Sequence, residues 1–323
     1  MLALIDTDPG IDDALALLYA WGSPGLRLAG ITTVAGNVDV EEATRNLFRL
    51  IALRRPSPPP VVAQGAAAPL ARPLVTARGY HGEDGLGGLT DWPPVAPVLS
   101  PLAAADFIVQ AARDAGEPLT LIALGPLTNV ALALARDRGA LGRLARVVIM
   151  GGAVDVPGNV TLTAEFNFHV DPEAARQVLE AGLNVDLVPL DATQQAVLSR
   201  AELESTLARH PGAFATRCAA FTARGFTLPG CPHPMEEGKG GTLPGCPHPT
   251  DAARGTAGMV LHDPLAVAVA LDPTLVGWDK ARLVVDAEGA TRRAPGAPNC
   301  RVAGVVDARR VLDNLLERLC PAS

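Results

Sequence analysis

The chain has 323 residues, 48% of them hydrophobic, and a formal net charge of −7. That length and apolar content suit a large α/β domain with a sizeable core and exclude general disorder. The acidic balance argues against a nucleic-acid partner, because a phosphate backbone repels such a surface.

In chain order, Leu2–Ile5 predicts a strand, Asp13–Trp21 a helix, Leu28–Val34 a strand, and Glu41–Leu53 and Ala103–Ala115 helices. Leu119–Ala123, Val147–Met150, Val185–Val188 and Leu283–Val285 read as further strands, with helices at Thr128–Arg136 and Pro172–Ala181. The strands lack polar alternation, as strands covered on both faces should. Strands alternating with helices predict a doubly wound, mostly parallel sheet with helices on both faces. Ligands of such sheets lie beyond the carboxyl ends of the strands. The whole chain, 1–323, reads as one domain. Its main irregularity is a Gly/Pro-rich stretch at about 225–258, where Thr227-Leu-Pro-Gly-Cys-Pro-His-Pro234 returns as Thr242-Leu-Pro-Gly-Cys-Pro-His-Pro249. A duplicated surface loop is the simplest account, since two copies make no solenoid.

The five cysteines, Cys218, Cys231, Cys246, Cys300 and Cys320, are odd in number and confined to the last third. They predict reduced thiols in the cytoplasm rather than a disulfide framework. Met1-Leu2-Ala3 opens without a basic n-region, so no signal peptide is expected. No uncharged apolar run reaches about 18 residues, so no membrane span is expected. Cys231, His233, Cys246 and His248 give a Cys₂His₂ count, but one-residue spacing within each pair is tighter than a zinc finger uses.

The strongest chemical signal is Asp6-Thr-Asp8-Pro-Gly-Ile-Asp-Asp13, which follows the first strand and opens the first helix. The Pro9-Gly10 turn brings Asp8 toward Asp12 and Asp13 in the first helical turn. Two carboxylates 4 Å apart repel by roughly 4 kcal/mol at an effective dielectric of 20. Such a cluster needs a cation or raised pKa values. All-oxygen donors without nearby Cys or His suit Ca²⁺ or Mg²⁺ better than Zn²⁺. The bland alternative is an acidic, capped helix start.

His262-Asp263-Pro264 reads as a second helix start, with Asp263 as N-cap and Pro264 at the first helical position. Capping does not exclude ligation, and His262 is a candidate acid near neutral pH. Between these motifs, Asn159, Glu165 and Asn167 are polar groups in apolar surroundings. In extended chain, Glu165 and Asn167 share one face, suited to the hydroxyls of one sugar. Asp171-Pro172 caps the next helix.

With these motifs in order, together with Val34-Ala-Gly-Asn37, His81-Gly-Glu-Asp-Gly-Leu-Gly-Gly88, Gly125-Pro-Leu-Thr-Asn129 and Met150-Gly-Gly152, the chain resembles the inosine-uridine-preferring nucleoside hydrolases. The resemblance implies a Rossmann-like fold and hydrolysis of the N-glycosidic bond of ribonucleosides to ribose and free base. It implies one bound Ca²⁺, held by Asp8, Asp13, Asp263 and the carbonyl of Leu124. Asp8 would also be the general base, Asn37 would sit beside the reacting centre, and His262 would protonate the leaving base. Asp12, Asn159, Glu165, Phe166, Asn167 and His81 would contact substrate, His81 from a loop over the sugar. Homodimers or homotetramers are implied too.

The stretch at 225–258 departs from the family in carrying no Tyr, which leaves Phe221 and Phe226 as candidates to stack on the base. Two rival readings are a non-catalytic nucleoside- or ribose-binding protein and a haloacid-dehalogenase-like phosphatase. The phosphatase needs a later lysine, and only Lys239 and Lys280 exist, both in poor contexts.

Overall fold

The computed structural model describes residues 1–227 and 258–320. The duplicated Cys-Pro-His units, and with them Cys231, His233, Cys246 and His248, lie outside the described residues.

The first half of the chain runs β1 (Leu2–Thr7), α1 (Ile11–Trp21), β2 (Arg27–Thr33), α2 (Val40–Arg54), β3 (Val62–Gln64), α3 (Arg78–His81), α4 (Ala104–Asp114), β4 (Leu119–Ala123), α5 (Thr128–Arg136), α6 (Arg138–Leu141) and β5 (Arg146–Met150). It continues with α7 (Phe166–Val170), α8 (Pro172–Leu179), β6 (Val185–Val188), α9 (Leu190–Thr193), β7 (Val197–Ser199), α10 (Arg200–Ala208) and α11 (Ala213–Thr222). After the undescribed stretch come β8 (Gly258–Val260), α12 (His262–Leu271), β9 (Val276–Ala281), β10 (Leu283–Val285), β11 (Thr291–Arg293), β12 (Cys300–Val306) and α13 (Ala308–Arg318).

The main sheet has eight strands in the order β3-β2-β1-β4-β5-β6-β12-β9. All neighbours are parallel except the β12–β9 pair at one edge. Helices α1, α12 and α13 pack in one apolar cluster, and α4, α5 and α8 in another on the opposite face. The expected α/β architecture is therefore the observed one. Strand order reverses between β1 and β4, and the carboxyl ends of adjacent strands part there to leave a crevice.

Two expectations need correction. Leu283–Val285 is not a strand of the main sheet; as β10 it pairs with β11 in a separate antiparallel ribbon. The main sheet is completed instead by β9 and β12, where Asp279, Lys280 and Arg301 interrupt the apolar pattern. As the edge strand, β9 needs no continuous apolar run, because one of its sides faces water, whereas β12 lies inside the sheet and its Arg301 pairs with Asp186. Asp263 is not an N-cap either: α12 begins at His262, Leu261 is its N-cap, and Asp263 lies in the first turn. Asp171 does cap α8, accepting from the Ala174 N–H.

Within the sheet, the fully buried Asp186 carboxylate of β6 holds Arg301 of β12 at 2.7 Å and Arg146 of β5 at 3.4 Å. Removing one member of a buried pair strands the remaining charge. Asp186→Ala is therefore expected to lower the unfolding free energy by about 3 kcal/mol, read from urea denaturation midpoints.

Candidate active site

Several of the chemical motifs sit just beyond a strand end. Asp8 follows β1, Asn37 follows β2, Leu124 follows β4, and Gly151 and Gly152 follow β5. Their side chains and backbones converge because the parallel strands all end on one side of the sheet.

Asp13 is held by several donors. The Thr7 hydroxyl donates to Oδ1 at 2.6 Å, while the Gly10 N–H and Asn37 Nδ2 donate to Oδ2 at 3.0 and 2.9 Å. Asn37 also donates its backbone N–H to Asp8 Oδ2 at 2.7 Å, and its amide reaches the Asp8 carbonyl. Asn37 is thus a clamp between two acids. Oδ1 of Asp8 has no hydrogen-bond partner among the described residues although it is buried. Gly36 and Gly125 crowd the same carboxylate: a Cβ on either would lie 2.1 or 2.5 Å from one of its oxygens.

Carboxylate oxygens of Asp12, Asp13 and Asp263 lie within 4.8 Å of one another. The resemblance implied Asp8, Asp13 and Asp263; Asp12 joins that trio in space, and Asp8 stands outside it. Among the described residues no ion pair reaches any of these four acids. Burial raises Asp8 and Asp263 well above the ordinary 3.8, and the neighbouring acids raise both further. Burial and Asp13 push Asp12 up to about 7. An orphaned carboxylate oxygen beside gathered, unpaired acids is a donor set that fits a hard divalent cation.

A cavity open to solvent lies above them. Asp12 and Asp263 line one part of it, with Asn37, Leu124, Asn159, Glu165, Phe166, Asn167, His81 and His262 around them. Asp8 and Asp13 do not line it, being 1% and 0% exposed.

Glu165 and Asn167 do not share an extended face. Glu165 is the N-cap of α7, accepting from the N–H groups of Asn167 and Phe168 and also of Gly152. Asn167 lies in that helix and donates its amide to the Leu124 carbonyl at 2.7 Å. A carbonyl oxygen has a second lone pair, so Leu124 retains acceptor capacity. Asn159 Oδ1 accepts the Phe166 N–H at 2.9 Å. Burial pushes Glu165 up to about 7.

His81 Nδ1 accepts the Ile11 N–H at 3.0 Å, from the first turn of α1. Burial, then the proximity of His262 and Arg224, lowers its pKa to about 3. Burial lowers His262 to about 4. Both rings are therefore neutral near pH 7, whereas the sequence suggested a protonated His262.

Phe221 and Phe226 are buried away from the cavity; Phe221 stacks on Trp92 and Phe226 lies under Arg200. The aromatic missed in the sequence is Tyr80, which lines the cavity and meets His81 edge-on at 4.8 Å. Its position beside His81 was the available signal, but only the α3 turn brings it to the cavity. Met150 and Ala77 were missed as lining residues too. Lys280, one of the phosphatase reading's two candidate lysines, lies on the edge strand β9, remote from Asp8 in the sheet order; Lys239 lies outside the described residues.

The profile of the inosine-uridine preferring nucleoside hydrolases matches residues 3–313. The chain belongs to that family. A non-specific ribonucleoside hydrolase, RihC, of Klebsiella pneumoniae is 46% identical over 200 residues, 61% of this chain. The match spans 63% of that relative's length, a little under two thirds. Among solved structures, a purine-preferring ribonucleoside hydrolase from Gardnerella vaginalis has a TM-score of 0.86 at 29% identity, covering 99% of this chain and 98% of that one. A plant nucleoside hydrolase, PpNRh1, gives 0.83 at 30% identity and 98% coverage of both chains. Among the described residues no helix is long and apolar enough to cross a membrane.

The raised acids make stability depend on pH. Asp6, Asp12 and Glu165 all move to about 7, so the native state keeps protons that the unfolded chain has lost above about pH 4. Their contribution is then full in acid and lost as pH rises through about 7. In chelator, the denaturation midpoint should be lower near pH 7.5 than near pH 5.

Proposed function

We propose that the chain hydrolyses the N-glycosidic bond of ribonucleosides, releasing ribose and a free nucleobase, with Ca²⁺ as its cation. The observation that carries this reading is the orphaned Asp8 oxygen beside Asp12, Asp13 and Asp263, under a cavity edged by His81 and His262. The proposed cation ligands are Asp8, Asp13, Asp263 and the Leu124 carbonyl, with Asp12 adjoining. When bound, Ca²⁺ would supply Lewis-acid polarisation of oxygen ligands and neutralise the gathered charge.

The remaining chemistry belongs to the side chains. Asp12, Asn159, Glu165 and Asn167 hold the ribose hydroxyls and fix the sugar relative to Asp8. Phe166 and Tyr80 bound the cavity with aromatic surface. Asp8 accepts a proton from water as its oxygen bonds to the anomeric carbon and the C–N bond breaks. Neutral water is a weak nucleophile, so the carboxylate base is what makes it attack. The bond pair departs with the nucleobase, and the sugar carries oxocarbenium character that the surrounding acids favour. His262 donates a hydrogen bond to the departing base as the neutral imidazole. His81, with Nδ1 committed to α1, keeps Nε2–H as a donor. Asn37 acts by holding Asp8 and Asp13 in register.

The same reading extends to cytoplasmic nucleoside catabolism and salvage by a homodimer or homotetramer, whose order light scattering would read. The decisive assay is base release from inosine, uridine, cytidine and adenosine with and without chelator. Release without added metal after exhaustive chelation would reject the cation's role, and no release from any of the four would favour a binding protein. Asp8→Ala should lower kcat by roughly 10³-fold or more while the fold persists. Gly125→Ala, which drives a methyl group into the Asp8 carboxylate, should lower kcat by roughly tenfold or more with a smaller change in KM.

A further inference from the structure

We propose that Thr193 is a positioning residue for the reaction, holding His262 so that its Nε2–H faces the cavity. The inference rests on the hydrolase reading above and adds a residue to it. Thr193 ends α9, just beyond β6, and is fully buried. Its hydroxyl lies 2.8 Å from His262 Nδ1, the single hydrogen bond that hydroxyl makes among the described residues.

That solitude decides the direction of the bond. A hydroxyl carries one proton, and a buried proton without an acceptor costs roughly 1–3 kcal/mol. Were Nδ1 protonated, the Thr193 proton would have nowhere to go. Donation from Thr193 into Nδ1 satisfies both groups and puts the ring proton on Nε2. The backbone around the contact is laced in place. Thr193 N–H donates to the Pro189 carbonyl, and Leu261 N–H to that of Ala196, each at 2.9–3.0 Å. Val197 pairs with Val260 in the β7–β8 ribbon immediately beyond. Thr193 and His262 therefore approach from two segments that cannot drift apart independently.

The consequence is specific to the leaving group. A nucleobase departs poorly as an anion and gains from a donor at one of its nitrogens. A ring free to flip or to change tautomer would offer a lone pair there instead. A nitrophenoxide departs readily without such help. Removing the hydroxyl should thus matter for nucleosides and much less for a nitrophenyl riboside.

The test compares wild type, Thr193→Val and Thr193→Ser on inosine, uridine and para-nitrophenyl ribofuranoside. Thr193→Val should lower kcat on the nucleosides by roughly tenfold or more with KM little changed, lose far less on the nitrophenyl riboside, and regain nucleoside turnover in Thr193→Ser. An equal loss on both substrate types, no loss, or failure of the serine variant to recover would overturn the proposal. Wild type inactive on every substrate would overturn the hydrolase reading, and this inference with it. Should Thr193→Val not fold, nitrogen-15 NMR of histidine-labelled wild type reads the tautomer directly, with His262 assigned by signals lost in His262→Asn. A proton on Nε2 supports the assignment, and one on Nδ1 rejects it.

Discussion

Four buried carboxylates that no basic side chain among the described residues neutralises are the constraint around which the site is arranged. Asp8, Asp12, Asp13 and Asp263 come from the two ends of the chain and meet beyond β1, where the strand order reverses. Charge buried this way raises pKa values, as at Asp8, Asp12 and Asp263, or demands a counter-ion. Both answers point to the same place. Protonation costs the site its basicity, so a cation is the answer compatible with catalysis.

Holding such a cluster open requires fixed donors rather than bulk packing. Thr7, Gly10 and Asn37 satisfy Asp13, Asn37 satisfies one oxygen of Asp8, and the other Asp8 oxygen is left without a partner. Gly36 and Gly125 matter for the room they leave around that carboxylate. On the far wall, the α7 N-terminus binds Glu165 through backbone N–H groups, and Asn167 ties α7 to the end of β4. These contacts set positions in advance of ligand binding, which is where a site gains orientation without reorganising. The neutral rings fit the same pattern: His81 and His262 each have Nδ1 committed to a partner of the fold, through Ile11 and Thr193.

Much of this was legible in the primary structure. The apolar runs of β1, β2, β4, β5 and β6 and the Asp8-Pro-Gly turn are local signals, because a buried parallel strand and an acidic helix start each carry their own composition. The edge of the sheet was not legible. β9 and β12 are half-exposed and carry charges, whereas β10, the more apolar run, belongs to a separate ribbon. Glu165 and Asn167 were recognised as a polar pair, but a short helix with Glu165 at its cap replaced the extended geometry the spacing suggested.

The sequence by itself determined the chemistry available: which acids, amides and histidines follow which strand ends, and that hard oxygen donors outnumber soft ones. Only the tertiary structure decided their company. It set Asp12 beside Asp13 and Asp263, left one Asp8 oxygen unpartnered, turned Phe221 and Phe226 into core, and brought Tyr80 and Thr193 to the site. The reason is physical: composition and periodicity are properties of neighbours along the chain, whereas partners, burial and the direction of a hydrogen bond are properties of neighbours in space.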